Sequence, residues 1–246
     1  MKRSPISREG SGNAKLERRL QRLCDRYGLA ESQKARLATI LAALANDQRA
    51  PTTVREEDAA LDMHLADSLV ALGVSEVKEA KRIADIGAGA GFPGLPLALA
   101  LPSAKVSLIE SQSRKCDFLM DLCRSAEIDN ATIVCARVEQ WSEGAGVNEV
   151  VLARAVAAPA VVLEYAAPIL GLDGLLIDWR GRRNPGEEQA ALGAASELGL
   201  ERVDVLQVDP FEGVRDHHLH LYRKVSATPE RFPRRAGMAR KRPLGL

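Results

Sequence analysis

The segment best suited to chemistry is a glycine-rich turn in residues 82–96, which read RIADIGAGAGFPGLP. Gly87, Gly89 and Gly91 alternate with alanines after a strand-like run, and Pro93 stands where a helix can begin. Glycines let the backbone adopt positive φ values and approach a ligand, and the N–H groups at the start of a helix face that ligand. The pattern predicts a turn that binds a nucleotide-like molecule.

Two acidic residues narrow the class of ligand. Asp85 lies two residues before Gly87, and Glu110 ends the next predicted strand. In nucleotide-binding folds an acid at that second place accepts hydrogen bonds from a ribose. A dinucleotide fingerprint would need glycine where the bulky Phe92 stands. The pattern D-x-G-x-G-x-G instead resembles the first motif of class I S-adenosylmethionine-dependent methyltransferases, with a glycine turn of some other α/β domain as the alternative.

An alternation of strands and helices must position this turn. The predicted strands are Arg82–Ile86, Lys105–Ile109, Thr132–Cys135, Val147–Ala153, Gly174–Trp179, Arg202–Val208 and His217–Lys224, with helices near 94–101, 112–126, 159–170 and 186–198. Repeated strand–helix–strand units predict a parallel sheet with helices on both faces, whereas the last two strands lack an intervening helix. The expected fold is therefore a doubly wound, mostly parallel seven-stranded α/β sheet of Rossmann-like type with an antiparallel edge hairpin.

The N-terminal part has a different pattern of apolar residues. Three leucine-rich stripes recur at helical spacing, at Leu16–Tyr27, Leu37–Leu44 and Leu61–Leu72, and each predicts a helix with one apolar face. We expect these helices to form a cap packed on the sheet. The predicted organisation is a flexible arm over residues 1–12, the helical cap over 13–75, a methyltransferase domain over 76–224 and a basic tail over 225–246.

Charge is unevenly distributed along the chain. The whole chain of 246 residues carries a formal net charge of +1, yet residues 1–22 carry +5 and residues 223–246 carry +7, which leaves the body at −11. Two basic ends on an acidic body favour a polyanionic partner, and the alternative is a pair of solvated tails. Aromatic residues make up 4% of the chain, which argues against an aromatic platform for bases.

Composition also indicates the cellular compartment in which the protein is expected. The apolar segment 92–102 contains three prolines and falls short of the ~20 residues that a membrane span needs, so we expect no transmembrane helix. Cys24, Cys116, Cys123 and Cys135 match no zinc or CxxC spacing. We expect reduced, mostly buried thiols in a cytoplasmic protein.

Several further segments resemble one branch of the methyltransferases, the glucose-inhibited division protein B (RsmG) family. They are HLADSL at 64–69, the glycine turn, IESQSRKCDFL at 109–119, RVE at 137–139, ARA at 153–155 and PRRAGMARKRPL at 233–244. The resemblance implies methyl transfer from S-adenosylmethionine to N7 of a guanine in 16S ribosomal RNA, in free form or in the small ribosomal subunit, with no membrane and no metal. Two segments depart from the pattern of that family, RAPTT at 49–53 and WRG at 179–181, and both departures concern contacts with the substrate.

The resemblance also assigns roles to individual residues. It implies cofactor contacts from Gly87, Phe92, Val138, Glu139 and Arg154. The motif around the turn adds Asp85, Gly89 and, at the ribose, Glu110. Without the resemblance, Val138–Glu139 would be interpreted as the first turn of a short helix.

Arg154 ends a predicted apolar strand at the edge where ligands bind in such sheets. We expect it to reach a carboxylate or phosphate, and we name it as the candidate catalytic residue for positioning and electrostatics. A salt bridge to the acidic body is the alternative.

Histidines near these segments have simpler explanations. His64, Asp67 and Ser68 share a helix face, and we favour a helix-anchoring hydrogen-bond cluster over a substrate contact. His217, His218 and His220 lack a neighbouring cysteine or carboxylate pair, so a zinc site is not expected.

The inferred chemistry needs few residues. Guanine N7 carries an exposed lone pair, so no general base has to remove a proton before an in-line displacement. Catalysis then rests on positioning, and the basic ends would supply phosphate contacts. The alternatives are a class I methyltransferase acting on a small molecule or protein, and a nucleotide-binding regulatory module without catalysis.

Overall fold

The computed structural model describes residues 9–245, with side chains from residue 13 onward. Residues 1–8 of the expected flexible arm lie outside the described residues. The first helix begins at Glu9, before the expected start of the cap at residue 13. Extension of the helix has a physical reason: each residue added to an existing helix gains a hydrogen bond without repeating the cost of helix nucleation.

The helical cap contains the predicted stripes in three helical stretches. Its elements are α1 (Glu9–Tyr27), α2 (Glu31–Asn46), α3 (Glu57–Ala60), α4 (Asp67–Leu69) and α5 (Ser75–Glu79). A π-helical turn, Leu61–Ala66, joins α3 to α4, and a 3₁₀ turn, Val70–Gly73, follows. The third stripe is therefore an irregular helix, and π turns of this kind are frequent at functional sites.

The sheet has the predicted strands, with ends that differ by a few residues. They are β1 (Arg82–Ile86), β2 (Lys105–Glu110), β3 (Ala131–Cys135), β4 (Asn148–Arg154), β5 (Leu170–Arg180), β6 (Leu200–Gln207) and β7 (His218–Lys224). The helices around them are α6 (Gly94–Ala100), α7 (Ser113–Ser125), α8 (Pro159–Ala166), α9 (Pro185–Leu198) and α10 (Met238–Lys241).

The strand order is β3-β2-β1-β4-β5-β7-β6. Strands β1 to β5 pair in parallel, and β7 pairs antiparallel with both β5 and β6, which confirms the predicted fold class. Ile86 at the end of β1 stands opposite Ile109 of β2 and Ala153 of β4. This register brings the residues that follow these three strands to one edge of the sheet, where such folds bind their ligands.

The cap and the sheet share one hydrophobic core. Leu65 and Leu69 of the cap belong to the same buried cluster as Leu95 of α6 and Leu108 of β2. The indole Nε1 of Trp179 in β5 also donates a hydrogen bond to a cap carbonyl, 2.9 Å away. Within the described range, every helix is too short or too polar to cross a membrane.

The expectation that all four cysteines are reduced is wrong for two of them. Cys116 in the first turn of α7 and Cys135 at the end of β3 form a disulfide, with their Cα atoms 5.9 Å apart. The crossover from β2 through α7 to β3 brings these residues together, which their sequence spacing does not indicate. Cys24 and Cys123 are free and buried as expected, and burial raises the pKa of each thiol to about 11.

The basic C-terminal segment folds back onto the sheet layer that carries α8. Phe232 and Ala239 are buried in the hydrophobic cluster of that layer. Arg234 forms a two-pronged ion pair with Glu164 of α8, whose carboxylate is almost fully buried. Part of the basic charge expected to serve a partner is thus neutralised within the protein.

The shared core predicts that the cap does not unfold separately. Leu65→Ala should lower the free energy of unfolding by about 2–5 kcal/mol, because it leaves a cavity between the cap and α6. Urea unfolding followed by far-UV circular dichroism and by tryptophan fluorescence should give coincident transitions. Met63→Ala, at a position 49% exposed on the same turn, is the control and should shift stability by less than about 0.5 kcal/mol. A cap transition separate from that of the sheet would contradict the prediction.

Candidate active site at the carboxyl edge of the sheet

The glycine turn has the backbone that its sequence predicts. Gly87, Gly89 and Gly91 have φ values of +68°, +57° and +99°, in the left-handed region that favours glycine. A Cβ atom on Gly91 would lie 2.3 Å from Leu95 Cδ1, so a side chain does not fit there. The N–H of Gly87 donates to the carbonyl of Ile109, 2.8 Å away, which ties the turn to β2.

Asp85 lies beneath the turn. Its carboxylate is completely buried, and its Oδ2 accepts a hydrogen bond of 2.8 Å from the N–H of Gly94 at the start of α6. A Cβ atom on Gly94 would lie 2.7 Å from this oxygen, so the contact requires glycine. Burial raises the pKa of Asp85 to about 7, although the Gly94 N–H and the Arg154 charge oppose this shift. Asp85 therefore holds the turn against α6 and does not line the crevice.

Glu110 is oriented from two sides. Its Oε2 accepts from the N–H of Gly89 at 3.2 Å, and its Oε1 accepts from the N–H of Gln112 at 2.9 Å. Lys115 Nζ is 3.9 Å from the carboxylate. The side chain is held at the end of β2 by the glycine turn itself, with lone pairs left to accept hydrogen bonds from a ligand.

A crevice of about 360 Å³ opens beside Glu110 at the carboxyl ends of β1 to β4. Its volume falls in the range of small-molecule sites. Of the predicted cofactor residues, Gly87, Glu110, Val138 and Glu139 line it. Other lining residues were not singled out from the sequence; among them are Val156, Tyr165 and Arg240.

Gly89, like Asp85, does not line the crevice. Phe92 and Arg154 form a second cluster with the cap. The imidazole of His64 stacks on the ring of Phe92, with centroids 4.5 Å apart and planes 7° from parallel. The Arg154 guanidinium carbon is 5.7 Å from the centroid of the Phe92 ring, within the range of a cation–π contact. The π turn of the cap, which carries His64, thus approaches both the glycine turn and the end of β4.

Arg154 is paired with an acid of the cap. Its Nη1 donates to Asp67 Oδ2 at 2.7 Å and to the carbonyl of Met63 at 3.0 Å, and Asp67 is 7% exposed. The other oxygen of Asp67 lies 3.3 Å from Nδ1 of His217. The ion pair expected as the alternative role of Arg154 is therefore present, and it fixes the orientation of the guanidinium at the rim of the site.

His64 is neutral in this environment. Burial, together with the charge of Arg154, lowers the pKa of His64 to about 4. Its Nε2 lies 3.0 Å from the hydroxyl of Thr52, and the hydroxyl of Ser68 donates to the carbonyl of His64. The predicted helix-anchoring cluster is thus present in part, because Ser68 anchors the helix whereas Asp67 pairs with Arg154.

The three histidines at the start of the last strand have different partners, with His217 just before β7 and His218 and His220 within it. His217 approaches Asp67, His218 Nδ1 lies 3.0 Å from the carbonyl of Gly181, and His220 is buried at 2% exposure. Burial lowers the pKa of His220 to about 4. Each of the three histidines thus has a different environment.

Comparisons with known proteins agree on a family. The family described as rRNA small subunit methyltransferase G matches residues 31–218. The protein of that name from Rubrobacter xylanophilus is 38% identical over 196 residues, which cover 77% of this chain and 75% of the relative. The one from Chloroflexus aggregans is 36% identical over 221 residues, which cover 88% and 92%.

Solved structures are more distant and bear on the fold alone. A S-adenosylmethionine-dependent O-methyltransferase from Thermotoga maritima superposes with a TM-score of 0.56 at 18% identity, over 78% of this chain and 73% of the other. A transferase from Pyrococcus horikoshii superposes with a TM-score of 0.52 at 19% identity, over 65% and 64%. The sheet and its helices are those of the class I methyltransferase fold.

The role of Asp85 predicts a difference between two substitutions. Asp85→Ala leaves the N–H of Gly94 without its acceptor in a buried place, so the free energy of unfolding at pH 7 should fall by about 1–3 kcal/mol. Asp85→Asn keeps an oxygen acceptor for this N–H and removes the cost of burying a charge, but its amide nitrogen would occupy the place of Oδ1, which has no hydrogen-bond partner among the described residues, so it should lose less stability than Asp85→Ala. Urea unfolding of both variants checks this, and equal losses would contradict it.

The neutral state of His64 predicts a dependence on pH. Its pKa in the folded protein, about 4, is below its ordinary value of 6.5, so the unfolded state takes up a proton first as the pH falls through this interval. The stability that the neutral imidazole supports is present above pH 6.5 and is lost as the pH falls towards 4. In His64→Gln, the slope of unfolding free energy against pH in this interval should decrease by up to about 1.4 kcal/mol per pH unit. An unchanged slope would contradict the prediction.

Proposed function

The chain belongs to the rRNA small subunit methyltransferase G family, and from this premise we propose that the crevice and the Phe92–Arg154 cluster are the donor and acceptor parts of one active site. The protein is a S-adenosylmethionine-dependent methyltransferase that acts on N7 of a guanine in 16S ribosomal RNA. What we add to this family assignment are the roles of individual residues, the form of the RNA substrate and the cytoplasmic location.

The crevice fits the donor in size and in chemistry. S-adenosylmethionine, when bound, supplies a methyl group on an electrophilic sulfonium. Glu110 accepts hydrogen bonds from the ribose hydroxyls, because its carboxylate is already oriented by two backbone N–H groups. Gly87 leaves room beside the backbone, and Val138 and Glu139 form the wall next to the adenine. Asp85, Gly89 and Phe92 support this site by shaping the glycine turn.

The acceptor part needs to orient a base and does not need to deprotonate it. Guanine N7 attacks with its own lone pair, so the activation barrier is lowered mainly by correct positioning of the two substrates. This effect reaches ~7–11 kcal/mol in well-oriented reactions. Arg154, held by Asp67 and lying over the ring of Phe92, presents a fixed cation at the rim where we place both substrates. Its paired state argues for orientation of the guanine and stabilisation of developing charge rather than for proton transfer.

The RNA side of the proposal rests on charge and groove geometry. N7 lies on the edge of guanine that faces the major groove. In A-form RNA this groove is too deep and narrow for side chains to enter, so the target is a loop or an irregular region. We expect exposed basic residues of the C-terminal segment, such as Lys241, to contact phosphates of the RNA. We propose 16S rRNA within the small subunit as the substrate of a cytoplasmic enzyme.

Substitution of Arg154 tests the active-site proposal. Arg154→Ala should lower kcat about 10²-fold on small subunits purified from cells that lack the enzyme, because the guanine is no longer oriented. Arg154→Lys should recover part of the rate, since the charge remains but the planar fork is lost. Mapping of N7-methylguanine in 16S rRNA measures the rate.

Arg124→Ala, at an arginine 77% exposed on α7, is the matched control and should retain the parent rate. Calorimetry with S-adenosylhomocysteine separates loss of donor binding from loss of the chemical step. Transfer of label to ribosomal protein alone would favour the alternative protein substrate and would contradict the proposal.

A further inference from the structure

The C-terminal segment contacts the crevice as well as the core. We call residues 232–242 the C-terminal strap. The N–H of Gly237 donates to Oε1 of Glu139 at 2.8 Å, and Nη2 of Arg240 donates to the carbonyl of Val156 at 2.8 Å. Glu139 follows β3 and Val156 follows β4, so the strap is attached to two separate walls of the crevice.

The strap is also held from behind. Arg234 pairs with the buried Glu164, and its Nη2 donates to the carbonyl of Arg242 at 2.8 Å, which closes the segment on itself. Phe232 and Ala239, before and after Arg234 along the chain, are both buried. These contacts leave Arg240 as a lining residue of the crevice, next to Tyr165.

A segment with solely a partner-binding role would not need these attachments. The sequence favoured phosphate contacts for the whole basic tail, yet Arg234 is neutralised by Glu164 and Arg240 faces the crevice. Glu139 is one of the residues expected to contact the cofactor, and one of its carboxylate oxygens accepts a hydrogen bond from the backbone N–H of Gly237. The same carboxylate therefore connects the donor site to the strap.

We propose that the C-terminal strap is a wall of the donor site, with Arg240 as a donor-binding residue and Glu139 as the positioning residue that holds the strap in place. The inference rests on the proposed function, because it takes the crevice as the site of the adenosyl-sulfonium donor and of its thioether product. By closing the side of the crevice formed by Val156 and Tyr165, the strap excludes water from the bound donor. Binding of the donor and ordering of residues 232–242 then stabilise each other.

Calorimetry with S-adenosylhomocysteine tests the role of Arg240. Arg240→Ala should raise the dissociation constant about tenfold, the usual scale for loss of one charge-assisted contact. Arg235→Ala, which removes an exposed arginine of the same strap that does not line the crevice, is the matched control and should change it by less than about twofold. Equal affinity of Arg240→Ala and the parent protein would overturn the proposal.

Hydrogen exchange tests the role of Glu139 without using activity. In the parent protein, S-adenosylhomocysteine should slow exchange in a peptide covering residues 232–242. Glu139→Gln keeps an oxygen that can accept from Gly237 and should preserve this protection, whereas Glu139→Ala should lose it. The same exchange with and without ligand in the parent protein would overturn the proposal.

A double-mutant cycle separates positioning from direct contact. If Glu139 acts through the strap, Glu139→Ala combined with Arg240→Ala should weaken binding less than the product of the two single effects. Independent effects that multiply would show that Glu139 contacts the donor without the strap. Failure of the parent protein to bind S-adenosylhomocysteine at all would count against the proposed function itself, and it is distinguishable from failure of the strap alone.

Discussion

A buried hydrogen bond between Asp85 and the backbone of Gly94 fixes the start of α6 relative to the end of β1. Both partners are constrained, because the carboxylate is fully buried and no Cβ atom fits on the glycine. The turn between them then has to be short and to adopt left-handed backbone angles. Its Gly89 N–H in turn orients Glu110 at the end of β2. One contact beneath the turn thereby determines where the crevice opens and which carboxylate faces it.

The second constraint is the pairing of Arg154 with Asp67 across the boundary between the cap and the sheet. Both side chains are largely removed from solvent, at 15% and 7% exposure, so loss of either partner would leave an uncompensated charge. The pair places a guanidinium beside Phe92 and the neutral His64. The cap therefore belongs to the hydrophobic core and also contacts the proposed active site, and its irregular π turn takes part in both sets of contacts.

Local patterns in the sequence were sufficient for much of this fold. The strand Arg82–Ile86, the glycine turn and Glu110 were all predictable, because periodicity and glycine spacing act over a few residues. The contacts that complete the site join distant residues. Arg154 and Asp67 are 87 residues apart, and Gly237 and Glu139 are 98 apart. Pairings at such distances depend on how the layers pack, and the charges alone permitted several partners.

The basic C-terminal segment shows why net charge is a weak guide to function. Counted along the sequence, its arginines favour contact with a polyanion, but folding assigns them individually. Arg234 satisfies a buried carboxylate that would otherwise destabilise α8. Arg240 and Lys241 are both exposed, but of the two it is Arg240 that lines the crevice. Because successive residues of one short helix have different surroundings, our two proposals, that this segment completes a small-molecule site and that it contacts phosphates, do not exclude each other.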